Sequence, residues 1–165
     1  MQEPPIRGDG LQLEERRAFQ RTFWIMERCA WAVFALFLAC ALAGLTGAGG
    51  YFSRATFTLA DSRNDHPRIT RWEASDEISV TFAPGRTRHR LTLGPAFFDA
   101  FEVEGMEPQP ERSVATADGT MLEFGARPSA GTRVILYVRA LRPGFPRYSL
   151  TVDAASRSVS TAVLP

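Results

Sequence analysis

A chain of 165 residues is long enough for one ordinary domain and an accessory segment. Its formal net charge is +1, so no overall basic field points to nucleic acid, and none is expected as a partner. Every one of the 19 basic residues is Arg, a bias typical of GC-rich bacterial genomes, and the two cysteines, Cys29 and Cys40, leave everything after residue 50 without a disulfide or a thiolate metal site.

Residues 1–12 are polar and carry Pro4, Pro5, Gly8 and Gly10, which predicts a disordered tail. Residues 13–28, LEERRAFQRTFWIMER, predict a juxtamembrane helix. Its early charges, Glu14 to Arg17, give way to Phe19, Phe23, Trp24 and Met26, as in a lead-in lying partly in the headgroup layer.

Residues 29–50, CAWAVFALFLACALAGLTGAGG, predict a transmembrane helix. No charge occurs between Arg28 and Arg54, and a helix of ~20 apolar residues rises ~30 Å, the thickness of the bilayer hydrocarbon. A buried core helix would be shorter and amphipathic. Ala41-Leu42-Ala43 before Gly44 has the small-x-small form of a signal-peptidase site, so a cleaved, secreted ligand-binding or hydrolytic domain is the alternative. The long lead, with five acids against five arginines, favours an uncleaved signal anchor. Arg16, Arg17, Arg21 and Arg28 outnumber Arg54, Arg63 and Arg68 across the span. That bias and the single span predict a cytoplasmic N-terminus and a periplasmic C-terminal domain at a bacterial inner membrane. Ala35, Ala39, Ala43 and Gly47 recur every four residues and are candidates for helix–helix packing, with a second copy or with an integral membrane partner.

From Ala55 the periodicity becomes that of strands. The predicted strands are 55–60, 69–72, 77–82, 87–93, 101–106, 113–117 and 120–126, with 132–141 as a central strand apolar on both faces. The segments YSLTV and SVSTAVL close the chain. Pro84-Gly85 and the PGFP segment at 143–146 mark turns, Asp118-Gly119 marks a hairpin, and Pro95 marks the start of one helical turn. EPQPE (107–111) reads as an extended edge or loop, and DSRNDHPR (61–68) as a polar loop above the membrane. Together these predict a mainly β fold over residues 55–165. It is an antiparallel β-sandwich after one N-terminal helix, with an immunoglobulin-like form among the candidates.

The motifs LTGAGG (45–50), HPRITRW (66–72), EPQPE (107–111) and AVLP (162–165) come in an order that resembles an uncharacterised family of bacterial single-pass membrane proteins. His66 and Ile69 stand where that family's second motif has aromatic residues. The resemblance implies a small exported β-domain and, since family members are encoded near YetF-like multi-span membrane proteins, a membrane partner. It implies no activity.

A search for chemistry yields little. Asp61, Asp65 and His66, with Asp76 and Glu77 beyond, lack the fixed spacing of a metal site. Glu102, Glu104, Glu107 and Glu111 lack a cleft, and alternation with Phe101 and Val103 suggests a half-exposed strand. No nucleophile elbow, phosphate-cradling loop or His-Glu-x-x-His is present in the sequence. The reading is therefore of a protein that is not an enzyme, with no cofactor or metal. His89 alternates with Leu91 and Leu93, as a half-buried packing residue would. Arg86, Arg88 and Arg90 on the other face, and His66, Arg68, Arg71 and Trp72, are the interaction candidates. The expected role is a membrane-anchored accessory subunit whose β domain binds a membrane protein or an envelope component.

Overall fold

The computed structural model describes residues 17–46, 49–126, 129 and 131–165. The tail, residues 13–16 of the juxtamembrane segment and Gly47 lie outside them. The chain forms two compact units, Met1–Ala39 and Cys40–Pro165.

Helix α1 runs unbroken from Arg17 to Leu42 and has no buried residue. It is long and apolar enough to cross a membrane. Lead-in and apolar run share one helical path with no break at residue 28, as expected of a helix that grows more apolar along its length and runs into a span. The helix also stops short of residue 50. Leu45 N–H donates to the Cys40 carbonyl and Gly44 N–H to that of Ala41, both at 3.0 Å. These are the paired closing bonds of a Schellman cap. Its left-handed position falls on Gly44 (φ 86°), where a Cβ would meet the Gly49 carbonyl oxygen at 2.6 Å. A short 3-10 turn, Tyr51–Ser53, then leads into the strands.

The second unit is mainly β. Strands β1 (Arg54–Leu59), β2 (Ser62–Pro67), β3 (Ile69–Arg71), β4 (Ser75–Phe82) and β5 (Arg88–Leu93) precede helix α2 (Pro95–Ala100). After it come β6 (Phe101–Glu107), β7 (Arg112–Thr116), β8 (Gly119–Gly125), β9 (Thr132–Ala140), β10 (Arg147–Val152), β11 (Ala155–Ser160) and β12 (Ala162–Leu164). One five-stranded sheet has the order β1-β2-β4-β9-β6 and the other β11-β10-β5-β8-β7; β12 and β3 make a parallel pair. Both five-stranded sheets are antiparallel throughout. They share one apolar core, in which Ile78, Val80, Leu136 and Val138 of the first meet Leu91, Leu122, Leu150 and Val152 of the second. This is a β-sandwich, with five strands in each sheet where an immunoglobulin constant domain has four and three.

Three local expectations change. The polar segment after Leu59 is strand β2 and not a loop. A two-residue turn with both residues left-handed, Ala60 (φ 49°) and Asp61 (φ 61°), folds it back onto β1. That turn geometry matches strand twist and fixes the register, so the backbone ladder decides the state that the side chains hide. Strand β9 is apolar on one face only: Val134, Leu136, Val138 and Ala140 are buried, while Arg133 and Tyr137 face solvent. A strand with a partner on each side can keep one wet face in an antiparallel sheet. In the hairpin, the loop residues are Ala117 and Asp118, and Gly119 (φ 126°) opens β8 opposite Thr116.

Candidate functional site

The interaction candidates fall in three places. On α1, the helix contains Ala35 and Ala39, whereas Ala43 lies in the closing turn and Gly47 lies outside the described residues.

The second place is the outer face of β5. Arg88 and Arg90 project outward from it, and Arg86 sits in the preceding turn. Intramolecular carboxylates occupy part of this set. Arg88 lies 3.7 Å from Glu123 and 3.9 Å from Glu111, and Arg86 lies 4.0 Å from Asp153. Arg90 and Arg112 both stand opposite Glu123 across the ladder, one on the strand to each side of it. Between them His89 points inward and is fully buried, stacked on Phe82 at 4.4 Å. Its Nδ1 lies 3.2 Å from Asp153, whose other oxygen accepts the Arg90 backbone N–H at 3.0 Å. No motif marks Asp153, which a left-handed turn (φ 53°) places against β5.

The third place is the end of the sandwich where the chain arrives from Ser53. Here the HPRITRW stretch divides. Arg71 and Trp72 sit on the loop side, with Trp72 Nε1–H donating to the Leu141 carbonyl at 3.1 Å. Arg68 follows β2, held by its backbone N–H on the Ser53 carbonyl at 2.7 Å. His66 turns into the sandwich and is 8% exposed, its ring edge-on to Phe57 at 5.4 Å.

His66 and Arg68 line a cleft of about 250 Å³ between the edge strands of the two sheets, β1 and β11. From β11, Arg157 reaches across this seam and lays its guanidinium over the Phe57 ring at 4.5 Å. Leu150, its cross-strand partner, is buried, so Arg157 starts from the inner side of the edge and closes the seam. Ser158 and Ser160 also line the cleft, and no carboxylate does. Among the described residues neither Arg68 nor Arg157 makes an ion pair or a side-chain hydrogen bond. Of the acids near His66 in the sequence, Asp65, Asp76 and Glu77 are engaged elsewhere. Asp65 faces the opposite side of β2 and pairs with Arg54, which also reaches Asp76 at 3.1 Å and the Glu77 carbonyl at 2.9 Å. Arg157 was invisible to sequence reasoning because its neighbours, Ser-Arg-Ser, carry no motif.

Beneath the cleft, the inner face of β2 is polar. Ser62 Oγ, Asn64 Oδ1 and His66 Nδ1 are buried without a hydrogen-bond partner. Burial lowers the pKa of His66 below its ordinary 6.5, with Arg54 and Arg157 adding to the effect and Asp65 opposing it. The unfolded chain therefore takes up this proton before the folded one does. The stability contributed is complete above about pH 6.5 and is lost as pH falls through the lower, folded value. Thermal melts between pH 8 and 5 should show a smaller acid-side fall in His66→Gln than in the parent chain. Parallel curves would remove His66 as the source.

No protein-family model matches this chain, and no curated protein sequence is significantly similar to it.

Proposed function

We propose that this protein is a membrane-anchored accessory subunit, with α1 as an uncleaved signal anchor and the β-sandwich outside the cytoplasm binding a membrane-protein partner or an envelope component. The observation that carries the reading is α1 itself: a 26-residue apolar helix without one buried residue. Covering the 12 large apolar side chains exposed on α1, at about 1.5–3 kcal/mol each, calls for lipid or another helix. Arg28 stacks its guanidinium on Trp24 at 3.6 Å, a pairing suited to the headgroup boundary. Candidate contacts for the partner are Ala35 and Ala39 on the helix and the arginines of the outer β5 face.

Purifying the full-length chain in mild detergent with a C-terminal tag should bring down a multi-span membrane protein in stoichiometric amount. Ala39→Leu, which thickens the small-residue stripe, should reduce that recovery about tenfold. Recovery of the full-length chain alone would overturn the subunit reading.

A cleaved, secreted binding domain is supported by one observation: α1 ends at Leu42, inside the Ala41-Leu42-Ala43-Gly44 sequence. Intact mass decides between the two, since cleavage after Ala43 removes roughly a quarter of the chain.

A further inference from the structure

We propose that the seam between β1 and β11 is a binding cleft for a phosphate monoester or diester, and that the phosphate is that of an anionic lipid headgroup. Two unpaired arginines converge on one concavity with no acid in its lining. Elsewhere in the domain, arginines that meet a neighbour meet a carboxylate: Arg54 with Asp65, Arg88 with Glu123, Arg139 with Glu102. Arg157 is held over the Phe57 ring, so its planar fork is oriented in advance and loses less freedom on meeting a phosphate. Arg68 is fixed through its backbone on Ser53. Ser158 and Ser160 complete the lining on the β11 side.

The dimensions also fit. A volume of about 250 Å³ admits a phosphate and a few attached atoms, and is below the 300–1,000 Å³ typical of drug-sized ligands. The position argues for the lipid as the source. Arg68 bonds to Ser53, and only 11 residues, 43–53, separate the end of α1 from β1. Fully extended, such a connection spans at most ~40 Å, so the cleft stays within reach of the surface that the anchor enters. Tyr51 and Phe52, the two residues before Ser53 in the chain, are largely and half exposed and are residue types that settle at a membrane interface. The lipid source rests on the anchored reading above; the phosphate chemistry of the cleft does not.

The test is isothermal titration of the full chain in non-ionic detergent micelles with dihexanoyl phosphatidic acid, inorganic phosphate and dihexanoylglycerol. We expect the phosphatidate to bind once per chain and dihexanoylglycerol to give no saturable heat. Arg68→Gln and Arg157→Gln should each weaken binding about 10- to 100-fold, the loss of a charge-assisted pair of hydrogen bonds. Both side chains are exposed, so neither substitution should disturb the fold. Arg142→Gln, which removes the same charge from another loop, should change binding by no more than about twofold. Inorganic phosphate binding as tightly, with the same dependence on Arg68 and Arg157, would support the cleft and overturn the lipid as its source. Absence of binding, or binding that both glutamine variants leave unchanged, would overturn the cleft, and neither result bears on the co-purification of a membrane partner.

Discussion

Replacing Phe97 with Ala is expected to destabilise the β domain by about 3–5 kcal/mol, the range for emptying a large buried aromatic site. Phe97 is 0% exposed. Pro95 at the start of α2 sets the helical turn that aims it inward. The turn carries the chain from β5 in one sheet to β6 in the other, so its side chain plugs the core where the sheets exchange strands. Phe101 lies 5.4 Å away and Tyr148 5.2 Å, the latter edge-on. Tyr148 cannot swing in to fill the space. Its hydroxyl lies 3.3 Å from Thr161 Oγ1, which donates at 2.8 Å to the Pro67 carbonyl. Burial has pushed the phenol's pKa up to about 12, so it stays neutral throughout the working range. Thermal unfolding followed by far-ultraviolet circular dichroism at the β-sheet signal should show a melting temperature lower by about 10 °C or more. Phe98→Ala, one residue along the same turn but 39% exposed, should cost no more than about 2 kcal/mol. Equal losses at the two positions would mean that burial in the core does not set the cost of emptying this crossover.

Gly119→Val should cost about 3 kcal/mol or more and is expected to leave much of the chain insoluble on expression. Two effects coincide at this position. A φ of 126° is open to glycine and strained for other residues, and a Cβ there would stand 2.0 Å from the Leu93 carbonyl oxygen and 2.8 Å from the Gly94 Cα. Both atoms are backbone, so relief requires parting β8 from β5, and with it the middle of the second sheet. Gly85→Ala separates the two contributions. Gly85 also has positive φ (111°), but no atom lies within 4 Å of its added Cβ. It should therefore show only the conformational strain, about 1–3 kcal/mol. Denaturant midpoints of the soluble fraction measure both, and comparable losses would show that the close approach at Gly119 relaxes.

Much of the architecture could be read from local pattern. An uncharged apolar run, alternation at 55–60, 87–93 and 101–106, and the turn residues at Pro84-Gly85, Pro95 and Asp118-Gly119 are all short-range signals, and the structure uses each of them. The Schellman cap was equally local, with Gly44 marking the end of α1, but the apolar composition on both sides of it masked the stop. The candidate cleft was legible only in fragments. His66 and Arg68 stood out as an aromatic-basic stretch, whereas Arg157 stood nearly ninety residues further along in a featureless run of serines.

What the sequence determined by itself, then, was the division into an apolar helix and a β domain, most of the strands, and, where polar and apolar residues alternate as in β5, the side that faces the core, because periodicity and turn chemistry act within ten residues or so. What only the tertiary structure decided was which edges meet. β2 is a strand because β1 and β4 offer its backbone a ladder on both sides, despite side chains that would suit a loop. The cleft exists because the strand orders leave β1 and β11 as neighbouring open edges, bringing Phe57, Arg68 and Arg157 together. Pairing across a sandwich is settled by the sum of buried apolar area and satisfied backbone hydrogen bonds over the whole domain, and no single segment carries that sum.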